Sequence, residues 1–130
     1  MKTRKILGFG LPEEKKTAVM AICRFIGARY TSIQETDMHK TVGFLCKAIG
    51  VPESVPEYDI PGKNAPEGEM LVFAGFDGED LNVFLEKYRK TGIPSVLYKA
   101  ILTEYNALWS PVFLYCELQK EHLEIQRNQH

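Results

Sequence analysis

The sequence predicts an α/β fold in which two related βαβα halves form one small sheet-and-helix domain. Three observations predict it: short apolar runs that end at glycine, segments with apolar residues at helical spacing, and the recurrence of this order along 130 residues. A chain of this length suits a single domain with its own core. The predicted divisions are a first half over 4–50, a connector over 51–68, a second half over 69–123 and a tail over 124–130.

The first half begins with a buried strand over 5–10 and a helix that follows it. Pro12 is expected at the first helical position, where the missing N–H costs nothing, and Gly27 is expected to end the helix. The apolar stripe of this helix has members at i, i+3, i+4 and i+7, which is the spacing of one helix face. They are Val19, Ile22, Cys23 and Ile26.

A second strand over 30–35 and a second helix complete the first half. Thr41 is the predicted N-cap of that helix and Gly50 its end. Its apolar positions are Val42, Leu45, Cys46 and Ile49. The connector that follows has no sustained period, so we expect a proline-stiffened segment on the surface. Its prolines are Pro52, Pro56, Pro61 and Pro66.

The second half repeats the order of the first. A strand is predicted over 70–75, a helix that ends at Gly92, and a second strand over 95–102. The apolar stripe of that helix is Leu81, Phe84, Leu85 and Tyr88. Ser110 as N-cap and Pro111 at the first helical position predict the last helix, whose polar tail we expect to fray.

Placing one half on the other supports an internal duplication. Gly10 falls on Gly75 at a shift of 65 residues, and Thr41 falls on Ser110 at a shift of 69. Further matches are Glu14 with Glu79, Glu35 with Glu104, Phe44 with Phe113 and Leu45 with Leu114. The change of four residues lies in the loop around Pro94, where insertions cost little. A two-stranded half is scarcely stable alone, so we expect the halves to share a sheet or pack together.

The net charge and the cysteine content indicate which partners and which cellular compartment to expect. A formal net charge of -1 without blocks of like charge argues against nucleic acid and membrane surfaces as partners. Cys23, Cys46 and Cys116 are odd in number and lie among apolar neighbours, which is typical of reduced, buried thiols. The apolar run near the start is too short for a signal peptide or membrane span. We therefore expect a cytoplasmic protein.

The glycines of "KILGFGLPEEKK" raise the question of a phosphate loop. Gly8 and Gly10 form a GxG without the third glycine or the later acidic residue of a dinucleotide site. Glutamates precede Lys15 and Lys16 at the helix start and would repel an anion there. The sequence therefore favours a structural joint between strand and helix, and it predicts no cofactor.

The densest polar cluster is predicted at the end of the last strand and across the turn that follows. It consists of Lys99, Thr103, Asn106 and Trp109. Because open α/β sheets bind ligands at the carboxyl ends of strands, Lys99 is a candidate anion contact, Thr103 and Asn106 are candidate hydrogen-bonding groups, and Trp109 is a candidate stacking surface. The competing and favoured interpretation is a scaffold, in which these side chains tie the turn and cover the core.

Metal binding, nucleophilic catalysis and thiol chemistry have little support in the sequence. His39, His122 and His130 have no partner at zinc spacing, so no metal site is predicted. A nucleophile elbow is absent, and thiol chemistry at Cys46 or Cys116 is a weaker alternative to core packing. No catalytic residue is assigned.

The second half resembles the bacterial family called domain of unknown function 3783, mainly over residues 70–122. The strand and turn at 72–76 and the closing helix carry part of the resemblance. The other residues that carry it are Lys99, Ala100, Leu102, Thr103, Asn106, Trp109, Leu114, Glu117 and Leu118. The resemblance implies a small bacterial α/β protein and brings no known activity or site residue.

Two hypotheses of function remain. The first is a non-enzymatic ligand-binding or protein-interaction module of the bacterial cytoplasm, acting through homo-oligomerisation, a protein partner or a small anionic ligand. The alternative is a small enzyme that acts on an anionic metabolite through Lys99, Thr103 and Asn106.

Overall fold

The computed structural model describes residues 3–60, 62–63 and 65–128. Pro61 and His130, both named above, lie outside the described residues. Strands and helices alternate along the chain, so the predicted α/β class is confirmed.

Contacts within the chain divide it into two units, each built from two segments. The first unit contains Met1–Ile33 and Gly68–Leu102, and the second contains Gln34–Glu67 and Thr103–His130. Each unit thus takes one segment from each of the predicted halves.

The first unit is a four-stranded sheet with two helices. Its elements are β1 (Lys5–Phe9), α1 (Glu13–Ile26), β2 (Arg29–Ser32), β3 (Met70–Ala74), α3 (Gly78–Lys90) and β4 (Tyr98–Ile101). The strand order is β2-β1-β3-β4, with β1 parallel to β2, β3 parallel to β4, and β1 antiparallel to β3. The predicted second strands of both halves are present but shorter than expected.

The register of the sheet relates the two halves residue by residue. Lys5 pairs with Arg29, and Met70, which lies 65 positions after Lys5, pairs with Tyr98, which lies 69 positions after Arg29. In the central antiparallel pair Leu7 lies opposite Val72, again 65 positions apart. This is the register expected of two duplicated halves, and the duplication itself stays a prediction.

The core of the first unit lies between the sheet and the two helices. It includes Ile6, Leu71 and Phe73 of the sheet, Val19, Ile22 and Cys23 of α1, and Phe84 and Tyr88 of α3. The predicted stripes therefore face the sheet, with the exception of Leu85 in α3, which is 37% exposed. Pro12 is the N-cap of α1 rather than its first helical residue, because its ψ of 152° is extended and the helix begins with Glu13.

The second unit contains a short helix, a long helix and three 3-10 turns. Its helices are α2 (Val42–Leu45) and α4 (Pro111–Asn128), and its 3-10 turns are Glu35–Asp37, Pro56–Tyr58 and Asn106–Leu108. The predicted caps are present, since the Phe44 N–H donates to Thr41 Oγ1 at 3.1 Å and the Phe113 N–H donates to Ser110 Oγ at 3.2 Å.

One prediction for the second unit is wrong in extent. The helix expected to reach Gly50 ends at Leu45, because Lys47 takes a left-handed φ of 61° and the chain turns away, leaving Ile49 fully exposed. The α4 helix continues as far as Asn128, and the expected fraying of the tail stays a prediction.

Residues of the connector hydrogen-bond within the second unit. Thr41 Oγ1 donates to the Pro52 carbonyl oxygen at 2.7 Å, and the Ser110 N–H donates to the Tyr58 carbonyl oxygen at 3.1 Å. The Tyr58 ring also meets Phe113 edge-on, with 5.2 Å between centroids. These bonds fix the connector to the starts of α2 and α4.

Candidate functional site

The two glycines of the first joint are explained by packing and backbone shape. A Cβ at Gly8 would lie 2.0 Å from Tyr30 Oη, so this position leaves room for the phenol ring across the sheet. Gly10 has a φ of 64°, in the left-handed region that glycine adopts readily. Packing therefore explains the glycine at position 8, and backbone conformation explains the glycine at position 10.

Thr103 and Asn106 hydrogen-bond to each other across the turn that opens the second segment of the second unit. The Thr103 N–H donates to Asn106 Oδ1 at 2.8 Å, and the Asn106 N–H donates to Thr103 Oγ1 at 3.1 Å. Thr103 is exposed and Asn106 is buried. This reciprocal pair closes the turn, as the scaffold interpretation of these residues expects.

Trp109 lies in an aromatic group of the second unit. Its ring centroid is 5.2 Å from that of Phe113 and 6.3 Å from that of Tyr58. Its carbonyl oxygen accepts from the Val42 N–H at 2.8 Å. Trp109 therefore links the start of α2 to the aromatic residues of the connector and α4.

Lys99, the fourth member of the predicted cluster, is the second residue of β4 in the first unit. Its Nζ donates to Ser95 Oγ at 3.1 Å and to the Val96 carbonyl oxygen at 2.5 Å. Burial lowers the pKa of the Lys99 ammonium group, the Glu69 carboxylate opposes that shift, and the nearby Lys15 charge adds to it. A joint ligand site formed by all four predicted residues stays a prediction.

Lys99 lines a pocket of about 440 Å³ within the first unit. Most of the wall is apolar or aromatic, and Lys99 and Arg89 contribute the charged groups. The lining residues are Leu71, Phe84, Leu85, Tyr88, Arg89, Gly92, Ile93, Ser95, Val96 and Lys99. The pocket thus combines β3, β4, the second half of α3 and the loop between α3 and β4.

The loop that walls this pocket is where the two halves differ in length. The paired residues Ile6 and Tyr30 are 24 positions apart, whereas their counterparts Leu71 and Lys99 are 28 apart. The additional residues lie around Pro94, between the end of α3 and the start of β4. The sequence showed this insertion, but it did not show that the inserted loop lines a pocket and holds the Lys99 amine.

An ion pair lies next to Lys99. Lys15 Nζ of α1 contacts Glu69 Oε1, and both side chains are mostly buried. Lys15 Nζ also donates to the Ser95 carbonyl oxygen at 3.1 Å. Ser95 therefore connects the two lysines, accepting from Lys15 through its carbonyl and from Lys99 through its hydroxyl.

The remaining reactive side chains have other surroundings. His39 Nδ1 lies 2.9 and 3.0 Å from the two carboxylate oxygens of Asp59. Cys23 and Cys46 are buried, Cys116 is half-buried, and none of these three described cysteines is in a disulfide. Burial raises the pKa of Cys23 to about 11, so this thiol resists ionisation. Among the described residues, no group of three His, Cys, Asp or Glu side chains is placed to hold a metal ion.

Comparison with known proteins gives one match. Residues 69–125 match the model of the family described as domain of unknown function (DUF3783). The resemblance predicted from the sequence is confirmed. No curated protein and no solved structure matches the chain. Within the part of the chain that the structure describes, no helix is long and apolar enough to cross a membrane.

The matched region contains all ten lining residues of the pocket. It includes β3, α3 and β4, and with them Lys99 and the whole inserted loop. The family description names no activity and therefore assigns no role to the pocket.

Proposed function

We propose that this protein binds a small, largely apolar carboxylate in the pocket beside Lys99. The observation that carries the proposal is a half-buried lysine amine in the wall of a largely apolar pocket of about 440 Å³. Ligand sites commonly combine apolar walls with a few polar groups that orient the ligand. A ligand that fits has an apolar body and a single polar head.

The walls favour an aromatic or branched aliphatic body. Leu85, which is 37% exposed, and the half-buried Ile93 present accessible aliphatic surface, while the rings of Phe84 and Tyr88 lie almost fully buried in the wall. Burying such surfaces favours binding by about 25 cal/mol for each Å² removed from water.

The local charge favours an anionic head. The pair of Lys15 with Glu69 is neutral in sum, so Lys99 adds a positive charge close to it. A carboxylate beside Lys99 would offset that charge and gain charge-assisted hydrogen bonds. The same carboxylate would raise the pKa of Lys99, because an opposite charge stabilises the protonated amine.

Binding without catalysis accounts for the hydrogen bonds of the predicted cluster better than the enzyme hypothesis does. Thr103 Oγ1 and Asn106 Oδ1 accept from each other's backbone N–H groups, which supports a role in shaping the turn. A bacterial cytoplasmic location is part of the proposal, because a reducing compartment suits three described cysteines that form no disulfide.

Isothermal titration calorimetry with 4-methylbenzoate, supported by a panel of carboxylates with about six to ten carbon atoms, tests the proposal. Wild-type protein should bind at least one member saturably. Lys99→Met should weaken that binding by about tenfold or more, since it removes the charged partner. Leu85→Trp should block it, because Leu85 lines the pocket and is exposed enough to accept a larger ring.

Lys90→Met is the matched control, since Lys90 is an exposed lysine at the end of α3. Binding in this variant should equal wild type, with thermal unfolding used to check that each variant folds. Failure of the whole panel to bind, or equal affinity in wild type and Leu85→Trp, would refute the pocket as a carboxylate site.

A further inference from the structure

The surroundings of Lys99 suit a chemical role in addition to an electrostatic one. Its two hydrogen-bond acceptors, Ser95 Oγ and the Val96 carbonyl oxygen, are both uncharged. The nearby Glu69 carboxylate forms its ion pair with Lys15. Lys99 thus has uncharged hydrogen-bond acceptors within a largely apolar wall, and such a desolvated setting makes a lysine amine nucleophilic.

We propose that Lys99 captures aldehydes in this pocket by forming an imine through Nζ. The inference rests on the proposed ligand pocket and adds a class of ligand, namely carbonyl compounds with the same small apolar body. The geometry supports it because a neutral amine has two N–H groups, which Ser95 and Val96 accept, and one lone pair left for bonding.

The chemistry is complete without a further reagent. The lone pair of Nζ attacks the carbonyl carbon, forming a C–N bond while the C=O π electrons move to oxygen. Proton transfer from nitrogen to oxygen gives a carbinolamine, which loses water to leave the C=N bond of the imine. Burial lowers the pKa of Lys99 and so enlarges the neutral fraction of the amine, while the Glu69 carboxylate opposes this shift and the Lys15 charge adds to it.

Reductive trapping tests this inference. Full-length protein is incubated with 4-methylbenzaldehyde and cyanoborohydride, and modified lysines are located by peptide mass spectrometry. The adduct adds the mass of the aldehyde less one oxygen atom. We expect Lys99 to be modified at least about tenfold faster than Lys90, the exposed lysine on the last turn of α3.

Two variants and a competitor make the result specific. Lys99→Arg, which keeps the charge, should lose the adduct, and Leu85→Trp should reduce it by excluding the aldehyde from the pocket. An excess of 4-methylbenzoate, which has the same body, should slow trapping. Equal modification of Lys99 and Lys90, preferential modification of Lys15, or undiminished trapping in Leu85→Trp would overturn the inference.

The outcome also separates this inference from the proposed function. Binding of 4-methylbenzoate without preferential trapping at Lys99 would overturn imine formation and leave the carboxylate pocket in place. Trapping at Lys99 without carboxylate binding would support imine formation and overturn the choice of anion. Absence of both would overturn both.

Discussion

Tyr30 and Lys99 occupy equivalent positions in the sheet and create different surroundings. Tyr30 of β2 pairs with Ile6, and Lys99 of β4 pairs with Leu71, so each is the second residue of an edge strand parallel to a central one. Around Tyr30 the phenol itself occupies the space, with its Oη close to Gly8. Around Lys99 a pocket of about 440 Å³ remains.

The comparison shows how two halves with the same strand register can differ in whether a pocket lies beside the edge strand. The counterpart of Gly8 in β3 is Phe73, a fully buried ring, so space beside the edge strand is distributed differently in the two halves. The loop of the second half is longer and supplies Ser95 and Val96, which hold the Lys99 amine. The register of the sheet is shared, whereas the side chains and the loop decide whether a pocket forms.

Tyr30→Lys should give the largest effect, because it places an amine where the structure provides a filled aromatic site. We expect a loss of about 2–4 kcal/mol in the free energy of unfolding, from lost ring burial and an unfavourable cation. The reverse change, Lys99→Tyr, should cost much less, because the pocket beside β4 has room for a ring. Urea denaturation of the two variants measures both losses in the free energy of unfolding. Equal losses would contradict a filled site at Tyr30 and an open pocket at Lys99.

Gly8→Ala should have the next largest effect, at about 1–3 kcal/mol, because the new methyl group overlaps the Tyr30 phenol. The φ of Gly8 lies outside the left-handed region, so the cost comes from the overlap rather than from the backbone. In a Tyr30→Ala background the same substitution should cost little. A double-mutant cycle measures this coupling, and additive effects would contradict the proposed packing.

Asn106→Ala tests whether the predicted polar cluster has two separate roles, with Lys99 lining the pocket and Asn106 stabilising a turn. Loss of the Oδ1 acceptor for the Thr103 N–H should lower the free energy of unfolding by about 1–2 kcal/mol. Affinity for 4-methylbenzoate should stay at the wild-type value, in contrast to Lys99→Met. A matched loss of affinity in Asn106→Ala would instead favour one ligand site formed by the whole cluster.

The smallest expected effect is on the pH dependence of stability, where Tyr30 and Lys99 should act in opposite directions. Burial raises the pKa of Tyr30 above its ordinary 10.0 and lowers that of Lys99 below its ordinary 10.5. Above pH 10.0 the folded state retains the Tyr30 proton longer than the unfolded chain does, so Tyr30 makes stability fall with rising pH. Below pH 10.5 the unfolded chain binds more protons at Lys99, so Lys99 makes stability rise with pH.

Urea denaturation across this pH range, compared with Tyr30→Phe and Lys99→Met, isolates each contribution. Tyr30→Phe should reduce the alkaline decline in stability, and Lys99→Met should remove part of the rise. A variant curve parallel to wild type would show that the corresponding group titrates alike in the folded and unfolded states.

Local signals were sufficient to predict much of the framework. Thr41 and Ser110 cap their helices as expected, because a side-chain oxygen three residues before a free N–H is a short-range feature. The end of α2 was predicted wrongly. The apolar spacing continues to Ile49 and indicates a longer helix, but Lys47 adopts a left-handed conformation that is rare for lysine.

The pocket could not be derived in the same way, because its walls form only when the consecutive elements β3, α3 and β4 pack against one another. Lys99 was identified as a polar residue near a strand, but its relation to Ser95 and Lys15 depends on how β4 and α1 pack. The insertion around Pro94 was the available signal. That insertion predicts a pocket only if the loop is known to lie with Leu71 in one wall, which is a feature of the folded structure.

The central antiparallel pair of the sheet has a consequence for how such a fold arises. Because Leu7 faces its own counterpart Val72, two copies of a single half would meet along this strand with the same register. If the halves share an ancestor, that ancestor had the strand geometry of a symmetric homodimer, and joining the copies in one chain allowed each to change independently. Fusion would thus have allowed one copy to keep a filled interior while the other gained a longer loop and a reactive amine.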